Sequence, residues 1–497
     1  MNGSPGRRYT IRDIFAAFPV TFCSGNPGQC TVRAVTSDSR RVRPGDLFIA
    51  KKGEQADGTQ FIDAAIANGA VRIIAEKAPP AMAGTMVYGV VKDARAAAVH
   101  ALNVMYGDPS QQMNIIGITG TNGKTTTAFL LQHLLGGRLQ AGVIGTVYAD
   151  TGKERIPLGN TTPDQETVVP LLREMSRAGA HACVMEVSSH AVVQRRIEGI
   201  RFGVKIFTNL TQDHLDYHGT MESYYAAKER FFIPSGPAAA VALINIDDPY
   251  GRRLYGRVAG EKYSYGSSDD ADWRITDSQV NLDAITAQVA TPDGPFSFTC
   301  PLVCTHNIYN VVAASLAAQR CGIPLNVIAE RLRTFPGVAG RMERVPAAEG
   351  TVVFIDYAHT PDAVEHVLRS VRSITDKKII TVFGCGGDRD RLKRPRMGAL
   401  AAALSDHVIV TNDNPRTEDP AVIVRDICAG MDGAAPYEII YDREQAIERG
   451  YEKTCAVQGI LLVLGKGHEQ YQIRGTEKTA FSDRAVIEKL VREKEPI

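Results

Sequence analysis

The sequence predicts an α/β protein of three domains, with a mostly parallel sheet in the central domain and a doubly wound sheet in the last domain. The chain has 497 residues, and globular domains usually span about 100 to 200 residues. Short apolar runs alternate with helical patterns along its length. Near residue 120, a glycine-rich loop separates an apolar run from a helical pattern. Together these observations favour parallel sheets covered by helices.

The first domain is predicted to span residues 1–105. Apolar runs at residues 46–50 and 71–75 predict strands, and the alanine-rich segments between them predict helices. A turn-rich segment at residues 106–110 then predicts a linker. This part of the chain is therefore expected to form a small α/β domain.

The second and third domains are predicted to span residues 106–335 and 336–497. The second contains a helix pattern that stops before two glycines, Gly136 and Gly137. The third repeats the alternation of strands and helices that is typical of a Rossmann-like sheet. The strands expected in the two domains are at residues 113–119, 141–147, 182–187, 205–210, 240–246, 351–355, 378–383, 407–411 and 460–464.

The composition argues against several kinds of partner. The chain has 56 basic and 55 acidic residues and a net charge of +1, so no overall field attracts nucleic acid or an anionic membrane. No apolar run reaches the roughly 20 residues of a membrane span. Nine cysteines are scattered without the ligand spacing of a zinc site. We expect a cytoplasmic monomer, in which a bound anion is held by local contacts and not by the overall charge.

A phosphate-binding loop is the strongest functional signal. It lies between a predicted strand and a predicted helix, where backbone N–H groups and the helix dipole converge on an anion. Lys124 can reach the β and γ phosphates of ATP, and the Thr125 hydroxyl can bind Mg²⁺. The usual pattern has glycine at the position of Ile118, so this loop is a variant, and the alternative is a turn without a ligand. The expected nucleotide contacts are Gly120, Thr121, Asn122, Gly123, Lys124, Thr125 and Thr126.

Oxygen and nitrogen donors follow the next predicted strands. Glu186 stands at a strand end, where ligands bind in open α/β sheets, and is a candidate Mg²⁺ ligand. The segment 208–218, which includes His214, is rich in such donors. Alone it would more often be a solvated loop, but in the same sheet as the phosphate loop it is expected to face the nucleotide. Lys228 lies in a helical pattern, where a lysine is normally a surface residue.

The chain resembles the Mur ligase family over nearly its whole length. Many motifs in the same order make this resemblance more specific than the phosphate loop alone. They are Ser37-Asp38-Ser39-Arg40, residues 53–58, 119–126, 160–163, 186–190, 213–219, 340–343, 356–362 and 386–389, Asp413-Asn414-Pro415-Arg416 and residues 465–469.

The resemblance implies substrate and metal contacts in the first two domains. Lys228 is implied to be carbamylated, which would turn a cation into an oxygen ligand for a second Mg²⁺, with His214 as its neighbouring ligand. Thr125 and Glu186 complete the implied metal ligands. The contacts implied for the UDP group are Ser39, Glu54, Gln55 and Ala56, and those implied for the muramoyl-dipeptide are Asn160, Thr161, Thr162, Ser188, Gln194 and Arg196.

In the third domain and the segment before it, the resemblance implies further ATP contacts and an amino-acid site. Asn307 is implied near adenine, Arg341 on the phosphates, and Asp356 and His359 near the ribose. The family usually has glycine three residues before this asparagine, whereas this chain has Cys304. The contacts implied for the incoming amino acid are Arg389, Asp413, Asn414, Pro415, Arg416, Gly465 and Glu469.

The implied reaction is an ATP-dependent amide ligation in peptidoglycan precursor synthesis. The γ phosphate of ATP passes to the D-glutamyl carboxylate of UDP-N-acetylmuramoyl-L-alanyl-D-glutamate, and an amine of meso-diaminopimelate attacks the acyl phosphate. ATP and Mg²⁺ are the implied cofactors. Three alternatives stay open: a lysine-adding ligase; folylpolyglutamate synthase, which would leave the first domain without a role; and, from another class, a nucleotide-switch or transport ATPase.

Overall fold

The computed structural model describes residues 9–53, 56–78, 86–137, 140–233, 240–431 and 435–494. It divides into two compact units: Met1–Gly266 with Ala313–Ile323, and Ser267–Val312 with Pro324–Ile497. Both units contain mostly parallel sheets with helices, so the predicted α/β class is confirmed. The boundaries at residues 105 and 335 remain predictions.

The amino-terminal region of the first unit is a five-stranded sheet between two apolar layers. The strand order is β2-β7-β6-β5-β4, with β4 to β7 parallel and β2 antiparallel. Ile49 and Ile74 face one layer, whereas Phe48 and Ile73 face the other. The elements are β1 (Tyr9–Thr10), β2 (Thr21–Ser24), β3 (Thr31–Val32), β4 (Val35–Thr36), β5 (Leu47–Ala50), β6 (Arg72–Ala75) and β7 (Val87–Val90), with α1 (Ile11–Ile14), α2 (Ile62–Ala67) and α3 (Ala94–Tyr106).

The second sheet of the first unit contains the phosphate loop. Its strand order is β11-β10-β9-β12-β8-β13-β14-β15, and the six strands from β9 to β15 in this order are parallel. The strands are β8 (Asn114–Thr119), β9 (Ala141–Ile144), β10 (Ala149–Asp150), β11 (Arg155–Ile156), β12 (Ala182–Glu186), β13 (Val204–Phe207), β14 (Val241–Asn245) and β15 (Lys262–Gly266). The helices are α4 (Lys124–Leu134), α5 (Gln165–Arg177), α6 (Ser189–Val193), α7 (Leu215–His218), α8 (Met221–Phe232) and α9 (Pro249–Arg257).

A three-stranded antiparallel meander in the second unit was not predicted. It consists of β16 (Trp273–Val280), β17 (Ile285–Thr291) and β18 (Gly294–Cys300). Trp273, the only tryptophan of the chain, is 1% exposed and lies 5.9 Å from the Phe296 ring. The helices α10 (His306–Arg320) and α11 (Leu325–Arg333) follow.

The last sheet is doubly wound, as predicted. Its order is β19-β20-β24-β21-β22-β23, and all pairs except β19 with β20 are parallel. Phe354 packs with α12 to α14, whereas Ile355 packs with α15 and α16, so helices cover both faces. The strands are β19 (Glu343–Val345), β20 (Val352–Asp356), β21 (Ile379–Phe383), β22 (His407–Val410), β23 (Tyr437–Ile439), β24 (Ile460–Leu464), β25 (Tyr471–Arg474) and β26 (Glu477–Ala480). The helices are α12 (Pro361–Arg372), α13 (Lys393–Leu404), α14 (Pro420–Cys428), α15 (Arg443–Val457) and α16 (Asp483–Lys494).

Across the residues that the structure describes, no helix combines the length and apolarity needed to cross a membrane. The nine cysteines all lie in this part of the chain and are free thiols.

A buried ion pair joins the ends of two central strands of the last sheet. The Arg443 guanidinium donates two hydrogen bonds of 2.7 Å to the Asp483 carboxylate, and both side chains are almost wholly buried. Arg443 also donates to the carbonyl oxygens of Leu464, at the end of β24, and of Asn412, just after β22. The pair therefore fixes the starts of two of the three loops that carry the predicted amino-acid contacts.

Replacing Arg443 with Met should destabilise the protein by about 3 to 5 kcal/mol, because the Asp483 carboxylate would remain buried without its partner. Urea unfolding followed by circular dichroism would measure the change. Arg449→Met is the matched control on α15, because Arg449 is 46% exposed and pairs with Glu438 at the surface. It should cost at most about 1 kcal/mol. Equal losses in the two variants would contradict this role of the buried pair.

Candidate functional site

The phosphate loop has the predicted strand-loop-helix geometry. It connects β8 to α4, and Gly123 at the amino-terminal end of the helix has a φ of 85°. A Cβ atom at Gly120 would lie 1.9 Å from Thr208 Oγ1, so only glycine fits there. Lys124 folds back over the loop and donates to the carbonyl oxygens of Gly120 and Thr121 at 2.9 and 2.7 Å. The ammonium is therefore held beside the loop in which a phosphate would bind.

The segment after β13 supports the phosphate loop. Thr208 Oγ1 donates to the Asn122 carbonyl at 2.7 Å, and the Asn122 N–H donates to Asn209 Oδ1 at 2.9 Å. The Thr121 N–H donates to the Asn209 carbonyl at 2.9 Å. The beginning of segment 208–218 therefore contacts the phosphate loop, while the expectation that the segment faces the nucleotide remains a prediction.

Glu186 lies at the end of β12 with a wholly buried carboxylate. Its Oε2 accepts hydrogen bonds from the hydroxyls of Thr125 at 3.0 Å and Thr146 at 3.1 Å, and its Oε1 accepts from the Thr146 N–H at 2.9 Å. Gly145 leaves room for this contact, since a Cβ atom there would lie 2.2 Å from Oε1. The structure thus unites two predicted metal ligands, Thr125 and Glu186, whose oxygen donors suit Mg²⁺.

Lys228 is buried on α8 and is not the surface residue that its helical pattern favours. Its side chain is 1% exposed, and its Nζ lies 2.9 Å from the Gly120 carbonyl oxygen and 4.7 Å from the centre of the Tyr224 ring. Burial lowers the pKa of the Lys228 ammonium well below its usual value, the Lys124 cation lowers it further, and Asp213 opposes the shift. The neutral amine is consequently favoured.

His214 lies in a cluster of aromatic side chains. Its backbone has a φ of 52°, and its Nε2 lies 3.5 Å from Asp213 Oδ2. The His214 ring is 4.9 Å from the ring of His190 and 6.1 Å from that of Tyr224. His214 and Lys228 therefore share Tyr224 as a neighbour. Within the described ranges, no three His, Cys, Asp or Glu side chains form a metal-binding group, and the metal roles of His214 and Lys228 remain predictions.

Four of the six predicted dipeptide contacts, Thr161, Thr162, Ser188 and Arg196, form one network with Glu186. Thr162 Oγ1 donates to the Glu186 carbonyl at 2.8 Å and accepts from the Ser188 N–H at 3.0 Å. Arg196 Nη1 donates to the Thr162 carbonyl at 2.9 Å. Thr161 Oγ1 lies 3.1 Å from Thr146 Oγ1, and Gln194 Nε2 lies 3.5 Å from the Tyr217 hydroxyl. Asn160 is exposed in the same segment.

The predicted UDP contacts are only partly described. Ser39 is buried at the start of a short 3₁₀ helix, and its carbonyl accepts a 2.9 Å hydrogen bond from Asn68 Nδ2. The Ala56 carbonyl accepts from the Gly53 N–H at 2.9 Å. Glu54 and Gln55 lie outside the described residues.

A carboxylate that the sequence did not single out joins the two sheets of the first unit. Glu166, on α5, accepts hydrogen bonds from the Thr36 hydroxyl at 3.1 Å and the Ser37 N–H at 2.9 Å. Lys51 Nζ also lies 3.3 Å from its Oε1. The loop that contains Ser39 is therefore tied to the helix that follows the predicted dipeptide segment.

The predicted adenine contact lies beside an unusual backbone position. Cys304 is buried and has a φ of 74°, in the left-handed region that favours glycine. This conformation explains why glycine suits that position. Asn307 Nδ2 donates to the Val303 carbonyl at 2.7 Å, and Asn307 Oδ1 accepts from Asn310 at 2.8 Å. The cysteine therefore does not prevent the asparagine from being held in place.

The other predicted ATP contacts of the second unit surround Tyr357. The Arg341 guanidinium lies 5.3 Å from the centre of the Tyr357 ring, and its buried Nε has no hydrogen-bond partner among the described residues. His359 Nδ1 lies 2.7 Å from the Tyr357 carbonyl. Asp356 accepts from the backbone N–H groups of Met342 and Ala358 at 2.7 and 2.8 Å. These bonds give Asp356 a role in holding the loop, and its contact with ribose remains a prediction.

The predicted amino-acid contacts converge at the carboxyl ends of β21, β22 and β24. Arg416 has a φ of 53°, and its Nη1 donates to the Gly387 carbonyl at 2.8 Å. A Cβ atom at Gly387 would lie 1.9 Å from the Pro415 carbonyl, so the two loops touch closely. Arg389, in the first of these loops, donates to the Asp388 carbonyl at 3.0 Å.

Carboxylates lie beside these arginine-bearing loops. Asp413 is 8% exposed, and its Oδ2 has no hydrogen-bond partner in the described part of the chain. Burial raises the pKa of Asp413. Glycine is required at Gly465, where φ is 109° and a Cβ atom would lie 2.7 Å from Asp413 Oδ2. Glu469 Oε2 accepts from Asn414 Nδ2 at 2.8 Å. This arrangement offers both carboxylates and a guanidinium to a zwitterionic ligand.

Three contributors to the site were missed or given no role by the sequence. Thr146 was placed inside a predicted strand at residues 141–147, whereas β9 ends at Ile144. Lys466 was quoted only as part of a motif, although its Nζ contacts both Asn414 and Glu469. Glu166 had no distinguishing pattern, since an acidic residue in the first turn of a helix is common.

Models of three Mur ligase domains match the chain. The Mur ligase family catalytic domain matches residues 31–106, the Mur ligase middle domain matches residues 118–318, and the Mur ligase glutamate ligase domain matches residues 340–467. A solved structure described as UDP-N-acetylmuramoyl-L-alanyl-D-glutamate–2,6-diaminopimelate ligase is 30% identical, with a TM-score of 0.71, and the match covers 98% of this chain and 99% of that one.

Two relatives have the same description. The one from Synechococcus elongatus is 43% identical over 461 residues, which are 91% of this chain and 92% of the relative. The one from Thermosynechococcus vestitus is 41% identical over 490 residues, which are 97% of this chain and 98% of the relative. Since these matches extend along almost the entire sequence, the chain belongs to the Mur ligase family.

Proposed function

We propose that this protein is a cytoplasmic, ATP-dependent ligase that joins meso-diaminopimelate to the D-glutamyl carboxylate of UDP-N-acetylmuramoyl-L-alanyl-D-glutamate. The observation that carries this proposal is the loop Asp413-Asn414-Pro415-Arg416, which offers a carboxylate and a guanidinium together. This pair suits an amino-acid end that has both an ammonium and a carboxylate group. The names of the relatives support the same substrates.

The phosphate loop provides the energy-coupling half of the reaction. A carboxylate is a poor acylating agent, and transfer of the γ phosphate supplies it with a leaving group. Lys124 stabilises negative charge on the transferring phosphoryl group, and the backbone N–H groups of the loop hold the other phosphates. Thr125 and Glu186 would hold Mg²⁺, which supplies further charge stabilisation when bound.

The network around Thr162 suits the acceptor carboxylate. Arg196 can pair with an anionic group, while Thr162 and Ser188 fix its segment against the end of β12. Because the same strand end carries Glu186, the acceptor and the phosphate loop are held by adjacent parts of one sheet.

A lysine-adding ligase is the nearest alternative, and a nucleotide-switch ATPase is the alternative from another class. ADP release should require the UDP-linked dipeptide and diaminopimelate together if the proposal is right. A switch ATPase would hydrolyse ATP in their absence, and a lysine-adding enzyme would turn over faster with lysine. One coupled ADP assay, run with single omissions of each substrate and with lysine in place of diaminopimelate, distinguishes the three.

Lys124→Ala should lower kcat for ligation by about 100- to 1000-fold, because it removes the cation that stabilises the transferring phosphoryl group. Lys262→Ala is a matched control, since Lys262 also donates to two backbone carbonyls, those of Tyr255 and Val258. The control should ligate at nearly the normal rate. Substantial ligation by a folded Lys124→Ala protein would contradict the assigned role.

Lys228 should form a carbamate at neutral pH. Carbon dioxide reacts with the neutral amine, which the lowered pKa of Lys228 makes available at a lower pH than for an ordinary lysine. Protein incubated with ¹³C-bicarbonate should give a carbamate resonance that Lys228→Ala lacks. Lys205→Ala is the control, because burial also lowers the pKa of Lys205, to about 8. This variant should keep the carbamate resonance. No resonance in the wild type, with normal ligation by Lys228→Ala, would refute the idea.

Arg416→Ala should lose most activity with diaminopimelate, because the second carboxylate of this substrate would lose its guanidinium partner. A charge-assisted hydrogen bond contributes about 1.5 to 3 kcal/mol, so the ratio of kcat/KM for diaminopimelate to that for lysine should fall by roughly one to two powers of ten. KM for ATP should change much less.

Arg474→Ala is the control for this variant, since Arg474 pairs with Arg416 through the backbone and its guanidinium is 56% exposed. It should keep the preference for diaminopimelate. Wild-type protein that prefers lysine, or an Arg416→Ala protein with an unchanged preference, would favour the lysine-adding alternative.

A further inference from the structure

Lys466 is a buried ammonium at the centre of the predicted amino-acid contacts. Its side chain is 0% exposed, and its Nζ donates to Asn414 Oδ1 at 3.1 Å and to Glu469 Oε2 at 2.9 Å. It lies in the turn that follows β24. A lysine in this environment is held by specific partners, because an isolated buried cation is costly.

The hydrogen bonds of Lys466 determine the orientation of Asn414. Asn414 Oδ1 also accepts from the Ile473 N–H at 2.9 Å, so two donors identify this atom as the amide oxygen. Asn414 Nδ2 is thereby directed to Glu469 Oε2 at 2.8 Å. Glu469 Oε2 then receives two donors, whereas Glu469 Oε1 has no hydrogen-bond partner in the described ranges and can accept one from a ligand.

Together with Asp413 itself, the four charged groups that act on its carboxylate (Arg443, Lys466, Glu469 and Asp483) leave one negative charge in excess. Arg443 and Asp483 neutralise each other through their paired hydrogen bonds. Lys466 remains opposite two carboxylates, Asp413 and Glu469. One of these charges is therefore cancelled, and the other matches a single ammonium group on a ligand.

We propose that Lys466 is a positioning residue for the ammonium group of the incoming amino acid, acting through Asn414 and Glu469. This inference rests on the proposed function. Lys466 fixes the Asn414 amide, holds one oxygen of Glu469 and balances all but one of the nearby negative charges. Asp413 and Glu469 then receive the ammonium, while Arg416 receives the carboxylate of the same amino-acid end.

The charge balance also predicts a pH dependence. Burial raises the pKa of Asp413. The Arg443 and Lys466 cations lower this pKa, whereas the Glu469 and Asp483 carboxylates raise it. Removal of the Lys466 cation would raise this pKa further, so Asp413 would become neutral at a higher pH. Because a neutral carboxyl binds an ammonium weakly, kcat/KM for diaminopimelate would begin to fall at a higher pH than in the wild type.

The test is Lys466→Met, which keeps most of the side-chain volume and removes the charge. KM for diaminopimelate should rise by about tenfold or more, since a charge-assisted contact is lost. KM for ATP should stay within about twofold of the wild-type value if the variant folds, because a twofold change is smaller than the effect of losing one hydrogen bond. The acid limb of the kcat/KM profile for diaminopimelate should move to higher pH.

Lys478→Met is the matched control. Lys478 is exposed on β26, and its Nζ lies 3.5 Å from the centre of the Tyr471 ring, which also lies 5.7 Å from Lys466 Nζ. This variant removes a lysine that lies over the same Tyr471 ring but makes no contact with Asn414 or Glu469. It should keep the wild-type KM and pH profile.

The double variant Lys466→Met/Glu469→Gln, compared with Glu469→Gln alone, separates charge from positioning, and this comparison decides the question if Lys466→Met does not fold. The double variant restores the net charge of −1, so its acid limb should return toward that of the wild type, while its KM for diaminopimelate should exceed that of Glu469→Gln. A wild-type KM and acid limb in Lys466→Met, or equal KM values in the double variant and Glu469→Gln, would overturn the inference. Failure of the wild type to ligate diaminopimelate would instead refute the proposed function.

Discussion

The parallel register between β8 and its two neighbours is the constraint on which the first half of the site depends. Glu186 of β12 stands opposite Ile118, and Phe207 of β13 stands opposite Thr119, so both neighbouring strands end where the phosphate loop begins. A slip of one residue would turn Glu186 to the other face of the sheet. The contact of Glu186 with Thr125 would then be lost, and a slip of β13 would in the same way displace Thr208 from the phosphate loop.

Two buried lysines of this protein have different surroundings. Lys228 has the Gly120 carbonyl, the Thr119 hydroxyl and an aromatic ring near its Nζ but no carboxylate in a salt bridge among the described residues, and burial lowers its pKa. Lys466 is equally buried but lies against a carboxylate at 2.9 Å. The carbamate proposed for Lys228 and the positioning role proposed for Lys466 therefore rest on different surroundings of the same residue type.

The sequence predicted the repeating framework well, because buried parallel strands are continuous apolar runs. The strand predicted at residues 460–464 has the same limits in the structure, and β21 differs from its prediction by one residue. The errors lie at strand ends: β13 stops at Phe207, which places Thr208 in the supporting loop. The meander at β16 to β18 has no long apolar run, and the alternation of buried and exposed positions in β17 and β18, which is itself a strand signal, was missed.

The contacts of the site were less predictable than its location. Strand-end logic located Glu186 and the family resemblance located Arg416, but no local pattern shows that Thr146 would meet Glu186 or that Lys466 would orient Asn414. Such contacts join residues 40 and 52 positions apart in the chain. The left-handed backbone at Cys304 was also not evident from any local pattern. Only the resemblance to a family that usually has glycine at this position indicated it.

The solitary Trp273 makes the second unit spectroscopically distinguishable from the first. Its indole is buried against Phe296 within the meander, whereas the first unit contains no tryptophan, and its tyrosines absorb little at the red edge of the indole band. Emission excited at the red edge of indole absorption would therefore originate from this one location. Loss of order in the meander could be followed there without a label, in the presence of an intact phosphate loop elsewhere in the same molecule.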